Sequence, residues 1–412
     1  MNIGFISTRL AGTDGVSLET FKLATVLKKM NHQCFYCAGE LDPTLPGLVA
    51  PELHFTDPVA RTLSRRAFHA HPDATLLDDI AHRARQLEEP IRRFLYQYDI
   101  HYLIIQNVFA IPMQLPLALA LTNILRETGL PALAHNHDFY WERERFLTNN
   151  IPDFLDTYFP PDLPNLQHAT INSLAQAALK KRRGLDSILI PNVFDFDTPP
   201  PGIDAENADF RAEIGLTQED LLILQPTRVI PRKRIELAIE LLARLDNPRA
   251  CLVIPHQAGD EGTAYLEQLK AQAQSCGVRL LHVADRIAER RGWDENGRKQ
   301  YTLWDVYPHA NFVTYPSIIE GFGNALIETV YFRLPALVNR YPVYVADIAP
   351  LGFDFIEIDN QIADETVNQV QYWLTHPERV QQATTKNYAL GRQHFSYQTL
   401  HALLEQVISN KF

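Results

Sequence analysis

Cysteine is scarce in this chain: Cys34, Cys37, Cys251 and Cys276 are the only four in 412 residues. Four thiols cannot staple a chain of this length, which excludes a disulfide framework. Cys34 and Cys37 have the spacing of a redox pair but lie in an apparent strand. A reactive pair needs a helix N-terminus to lower a thiol pKa, so both are expected in the core. Basic charge is in deficit too, with 38 Lys and Arg against 49 Asp and Glu, a net charge of −11. That argues against nucleic acid as a partner. The local basic runs at residues 61–66 and 180–183 sit in no long basic amphipathic helix and read as solvated helix faces. Long apolar runs are missing: the best, residues 108–121, is interrupted by Pro112 and Pro116, so no segment is expected to span a bilayer. The first residues read as a strand and not as a cleavable leader, and the expected location is the cytoplasm. The dinucleotide fingerprint Gly-x-Gly-x-x-Gly is also absent.

What remains is an ordinary soluble composition, 46% hydrophobic and 21% charged, long enough for two domains with full cores. Strand and helix patterns alternate along both halves, which predicts parallel α/β layering. The organising stretch is Thr314-Tyr-Pro-Ser-Ile-Ile-Glu-Gly-Phe-Gly-Asn-Ala-Leu-Ile-Glu-Thr-Val. Residues 310–315 read as a buried strand and residues 324–333 as a helix stopped by Pro335. The Gly321-Phe322-Gly323 turn therefore falls at a strand-to-helix junction, where glycines admit a close ligand and the helix offers unpaired N–H groups to an anion. Glu320 and Glu328 flank that turn. Carboxylates repel phosphate and bind hydroxyls, so the stretch suits a ligand carrying both phosphates and sugar hydroxyls. A second junction lies about ninety residues earlier, where Arg228 and Lys233 follow the apolar strand 221–224. Two cations at that spacing can clamp a diphosphate.

These two elements, Arg-x4-Lys and Glu-x7-Glu, in this order and spacing, resemble those of the retaining nucleotide-sugar glycosyltransferases of family 4. The resemblance covers nearly the whole chain and is stronger in the second half. It implies a GT-B fold of two Rossmann-like domains facing a cleft, with residues 1–192 on the acceptor side, 193–395 binding the nucleotide sugar, and a tail helix in 396–412 returning to the first domain. It implies donor contacts from Arg228, Lys233, Glu320, Gly321, Phe322, Gly323, Asn324, Ala325, Leu326 and Glu328, with Asp285 and Arg286 near the base and Gly15 near the diphosphate. Arg228, Lys233 and Glu320 would share catalysis with a histidine at a strand end, either His135 or His137. No metal or other cofactor is required by this arrangement. The resemblance implies a nucleotide-diphosphate sugar as donor, such as UDP-glucose or GDP-mannose, and a small molecule as acceptor. The runs Phe139-Tyr-Trp-Glu-Arg-Glu-Arg145 and Tyr341-Pro-Val-Tyr344 resemble mannosylglucosyl-phosphoglycerate synthases and, more distantly, sucrose-phosphate synthases, which implies a polar or phosphorylated acceptor. A lipid or polysaccharide acceptor, epimerase or phosphorylase chemistry on the same fold, and a silent sugar-nucleotide binder are the alternatives.

The first half carries its own dense stretch, His135-Asn-His-Asp-Phe-Tyr-Trp-Glu-Arg-Glu-Arg-Phe, at the carboxyl end of a strand, where ligands bind in open α/β sheets. Asp138, Tyr140, Arg143 and Arg145 are acceptor candidates, with Gly12 in the first strand-to-helix loop. The arginines have a second reading, ion pairs with Glu142 and Glu144. His135, His137 and Asp138 are conceivable metal ligands, but His-x-His without a supporting cluster is weak evidence for one. Asp14 in the first loop has no assigned part. Residues 41–72 read as an irregular excursion. Asp195-Phe196-Asp197 imitates a metal-binding Asp-x-Asp but sits in a proline-rich linker with no strand to present it.

Overall fold

The computed structural model describes residues 1–12, 14–69, 71, 73–258 and 262–409. The chain divides into two compact units, Phe194–Ser396 and, on either side of it, Met1–Val193 with the chain from Tyr397 onward. In the first unit the elements are β1 (Asn2–Ile6), α1 (Gly15–Lys29), β2 (Gln33–Ala38), β3 (Gly47–Val49), α2 (Pro58–Ala67), α3 (Leu76–Gln97), β4 (Tyr102–Gln106), α4 (Leu115–Thr128), β5 (Ala132–Asn136), α5 (Pro152–Tyr158), β6 (Leu166–Thr170), α6 (Ser173–Arg183) and β7 (Ile188–Leu189). The second holds α7 (Phe210–Glu213), β8 (Leu221–Leu224), α8 (Ile235–Leu245), β9 (Ala250–Ile254), α9 (Ala264–Ser275), β10 (Arg279–His282), the hairpin β11 (Gly292–Trp293) and β12 (Lys299–Gln300), α10 (Leu303–Val306), β13 (Phe312–Tyr315), α11 (Asn324–Tyr331), β14 (Ala336–Asn339), β15 (Ile356–Ile358), α12 (Asp364–Thr375) and α13 (Pro377–His394). A last helix, α14 (Tyr397–Ser409), belongs to the first unit.

Each unit is built on one parallel sheet, in the order β3-β2-β1-β4-β5-β6-β7 and β10-β9-β8-β13-β14-β15. Strands covered on both faces need apolar side chains throughout, and β4, β5 and β9 are buried along their whole length. Alternate residues serve opposite layers. Ile3, Phe5, Tyr102 and Ile104 pack with Leu23 and Leu27 of α1 and with Leu400, Leu404 and Val407 of α14. Ile6, Leu103 and Ile105 pack the other way, against Ile80, Leu87 and Phe94 of α3 and Leu117 and Leu121 of α4. In the second unit Ile223, Leu252 and Phe312 share a core with Ile235, Ile239 and Leu242 of α8. Strand order reverses between β1 and β4 in one sheet and between β8 and β13 in the other. Loops at the carboxyl ends of such a pair splay apart and leave a crevice, which is where open α/β sheets take ligands.

Two expectations change. Residues 41–72 are not an irregular excursion throughout, because β3 pairs with β2 at the sheet edge and α2 forms within the stretch. The helix signal was present in Asp57, whose carboxylate caps α2 by accepting from Ala60 N–H at 3.0 Å, and in Pro58 at the first helical position. Asp14, without a part in the sequence reading, is the N-cap of α1: it accepts from Val16 and Ser17 N–H at 3.0 and 3.1 Å and pairs with Arg9 at 3.0 Å. Cys34 and Cys37 are buried in β2, and burial pushes their thiols up to about 11 and about 12.

The chain after β3 crosses the end of β2 so closely that a Cβ on Gly39 would lie 2.2 Å from the backbone nitrogen of His54. Backbone cannot yield as a side-chain tip does. Gly39→Ala is expected to destabilise the first unit by about 2 kcal/mol or more, read by urea unfolding through Trp141, the only tryptophan of residues 1–193.

Candidate active site

The β8 and β13 connections of the second unit are stitched together residue by residue. After β8, buried Val229 and Ile230 anchor a short 3-10 turn, Pro231–Lys233. Arg232 takes Ile318 N–H on its carbonyl at 3.0 Å and donates to the Ile319 carbonyl at 2.6 Å. Lys233 Nζ donates to Glu320 Oε1, with the two side chains only 8% and 9% exposed. Arg232 stands 3.5 Å from the other carboxylate oxygen. Burial by itself would raise the Glu320 pKa, but Lys233 and then Arg232 hold it below the usual carboxylate value. Burial lowers Lys233, with Glu320 opposing. A phosphate on Lys233 and a hydroxyl on Glu320 would therefore be near neighbours in one ligand, as they are in a glycosyl phosphate. Arg228 is exposed beside this pair and lowers Lys233 through its charge.

The glycine turn between Glu320 and α11 is fixed from beneath. Gly323 has φ of 126°, and a Cβ there would meet the Tyr341 hydroxyl at 2.3 Å. Both facts require glycine. That hydroxyl donates to the Phe322 carbonyl at 2.8 Å. Phe322 is 3% exposed and packs edge to face on Phe395. The N-cap of α11 is Gly323, which has no side chain to cap the helix as Asp14 caps α1, and the first turn holds no acidic residue, so the amides of Asn324, Ala325 and Leu326 begin a helix whose positive end carries no carboxylate of its own. One turn on, Glu328 accepts from the Tyr307 hydroxyl at 2.7 Å, and the Tyr307 ring stacks on Phe332.

Asp285 and Arg286 follow β10 at the sheet edge. Asp285 pairs with Arg298 at 2.5 Å, and Arg286 pairs with Glu213 and donates to the Lys299 carbonyl at 3.1 Å. Their side chains thus brace the hairpin. His256, after β9, was missed by sequence reading. Burial, then the charges of Lys233 and Arg228, lower its pKa to about 4, which places a neutral imidazole in the electrostatic field of both cations. A histidine immediately past a buried strand was the signal available.

In the first unit Gly12 and Gly15 flank the Asp14 cap, both exposed. His135 is the last residue but one of β5 and His137 follows its end, with Gln106 between the rings. Burial lowers His135 well below the usual imidazole value and His137 to about 4. The arginines do not pair as their sequence neighbours suggested. Arg143 donates to Asp138 at 2.5 Å, and Glu142 instead accepts from Phe139 N–H at 2.8 Å. Arg145 is exposed and stacks on Phe146 at 4.6 Å. Tyr140 is half-buried in the same turn. Among the described residues no three His, Cys, Asp or Glu side chains are grouped to hold a metal ion, and no helix is long and apolar enough to cross a membrane.

Two doubly wound parallel sheets with a last helix returned to the first define the GT-B class, and solved structures agree along the full length. Sucrose-phosphate synthase from Thermosynechococcus elongatus matches with a TM-score of 0.69 at 14% identity, over 99% of this chain and 98% of that one. Anabaena HepE in complex with UDP-glucose matches with a TM-score of 0.68 at 13% identity, over 99% of each chain. The chain belongs to the mannosylglucosylglycerate synthase family of glycosyltransferases and is a hexosyltransferase: it is 35% identical to the Petrotoga mobilis member over 88% of this chain and 87% of that one, and 30% identical to the Thermotoga maritima member over 99% and 100%. No protein-family profile matches the chain.

Two measurements probe this geometry. Gly323→Ala is expected to lower turnover by about two orders of magnitude through displacement of the turn, and Tyr341→Phe in the same chain to restore part of it; steady-state rates read both. Stability of the first unit is expected to fall with acid. His137 and the equally buried His168 are each lowered by burial to about 4, against about 6.5 when unfolded. The unfolded chain then binds more protons across that window, so stability is full above it and is lost as pH falls from 6.5 toward 4. Urea midpoints at pH 7 and pH 4.5 measure the loss.

Proposed function

We propose that this enzyme transfers a mannosyl group, with retention of anomeric configuration, from a nucleotide-diphosphate sugar to a hydroxyl of glucosylglycerate or a close polar relative. The observation that carries the reading is the buried Lys233–Glu320 pair beside the N-terminus of α11, whose N-cap is Gly323, at the β8/β13 reversal. The name of the two relatives supports the product, and the uridine nucleotides in HepE support a nucleotide donor.

In this reading Arg228, Lys233 and the amides after Gly321 neutralise the diphosphate. Glu320 accepts from a hydroxyl of the transferred hexose, and Glu328, oriented by Tyr307, accepts from the ribose hydroxyls. Charge grows on the leaving diphosphate as the sugar becomes oxocarbenium-like, so cations fixed before reaction act most strongly in the transition state. These cations provide the leaving-group stabilisation themselves, and added metal is not required. Attack comes from the face that the diphosphate leaves, so neither glutamate is a nucleophile of the glycosidase kind. Asp285 and Arg286 border the base, Gly15 borders the diphosphate, and His135 or His137 serves the hexose. The acceptor takes Gly12, Asp138, Tyr140 and the arginines. Arg143 is neutralised by Asp138, whereas Arg145 has no ion pair with a described residue and suits the acceptor carboxylate.

The test is incubation with GDP-, UDP- and ADP-mannose and the matching glucose donors, with glucosylglycerate and with its phosphorylated form, in EDTA and then with magnesium. Product NMR is expected to show one new α-linked mannosyl residue without metal dependence. Product only with a lipid or polysaccharide acceptor, or only donor epimerisation, would sink the reading. Glu328→Ala is expected to raise donor KM about tenfold or more with a smaller change in kcat, and Lys233→Ala to lower kcat steeply. Equal losses in both parameters for both variants would refute that division. Arg145→Ala is expected to raise acceptor KM by about tenfold and leave donor KM alone.

A further inference from the structure

Three residues at the carboxyl ends of β4 and β5 form a polar cluster: Gln106, the last of β4, His135, the last but one of β5, and His137, just past it. Gln106 is 1% exposed, His135 2% and His137 9%. One atom joins them: Gln106 Oε1 lies 3.0 Å from His135 Nδ1 and 3.4 Å from His137 Nε2. The two rings meet edge to face, with centroids 4.8 Å apart. Their backbones are held as well. Asn107 Oδ1 accepts from His137 N–H at 3.0 Å, and Ser7 Oγ donates to the Gln106 carbonyl at 3.1 Å.

With its oxygen toward both rings the amide accepts from each, so each ring turns an N–H toward it; a reversed amide would instead present its NH2 group to both. His135 then carries its proton on Nδ1 and His137 on Nε2. We propose that Gln106 is a positioning residue that sets the tautomers of both imidazoles through this single carbonyl, leaving Nδ1 of His137, the more exposed ring, as a hydrogen-bond acceptor for the ligand. The assignment of a ligand to His137 rests on the functional reading above; the tautomers do not. Among the described residues no carboxylate or cation perturbs either ring. His137 and the Ile190 carbonyl are the polar neighbours that act on His135, and burial alone acts on His137. Both rings are neutral at pH 7. His135 therefore acts from the interior, as the second donor that fixes the amide.

The test combines a spectrum with two variants. Long-range nitrogen-proton correlation on protein labelled in its histidine rings, assigned with His135→Asn and His137→Asn, is expected to show His135 protonated on Nδ1 and His137 on Nε2. Gln106→Glu places a carboxylate against both rings and raises their pKa, so the acid limb of the kcat profile is expected to move up by about one pH unit or more, with donor KM within about twofold of wild type. Gln106→Met keeps the length and removes the acceptor; kcat is expected to fall about tenfold at all pH without moving that limb. A proton on Nε2 of His135 means the amide is reversed and overturns the proposal, as does an unmoved acid limb in Gln106→Glu. If the wild type turns over no donor, the functional reading fails, and the ring spectrum still decides the tautomers.

Discussion

One buried ion pair, Lys233 with Glu320, ties together the two loops of the second unit's candidate site. Lys233 and Glu320 are 87 residues apart in the chain but come from loops after strands that are adjacent in the sheet. Both side chains are nearly out of solvent, where an unpaired charge would cost several kcal/mol. Their mutual attraction therefore holds each loop in the conformation that suits the other. Arg232 reinforces this by bonding the backbone of the opposite loop, and Tyr341 supports the glycine turn from below. A buried pair is a weak source of net stability. Its value here is geometric, since it fixes a cation and an acceptor of hydroxyls within one bond of each other.

Much of this was legible because the relevant signals are local. A buried strand followed by glycines and a helix states a junction without reference to the rest of the chain, and Arg228, Lys233, Glu320 and Glu328 were visible as charges at two such junctions. The parallel layering followed from alternation of apolar strands with amphipathic helices. What escaped depends on contacts between distant segments. Nothing near Tyr341 says that its hydroxyl lies under Gly323. Nothing near Tyr307 says that it orients Glu328, and His256 reaches Arg228 and Lys233 only because β9 lies beside β8.

The arginine turn shows the same limit from the other side. Sequence neighbours suggested that Arg143 pairs with Glu142 or Glu144, but a tight 3-10 turn at Tyr140–Glu142 sends Glu142 back to the Phe139 amide and leaves Arg143 facing Asp138. Charge order along a chain predicts partners only when the local conformation is known. In α2 the reverse held: Asp57 and Pro58 were sufficient start signals, and the surrounding proline and histidine obscured them.

The return of α14 to the first unit bears on the order in which a ribosome delivers this chain. Leu400, Leu404 and Val407 complete the layer formed by Ile3, Phe5, Leu23 and Leu27, yet they are synthesised after the whole of Phe194–Ser396. The second unit is continuous in sequence and can close its core as it emerges. The first must wait with one sheet face only partly covered, by α1, through the synthesis of some two hundred intervening residues. During that interval an apolar surface around β1 and α1 is available to chaperones, and the domain made first is the one finished last.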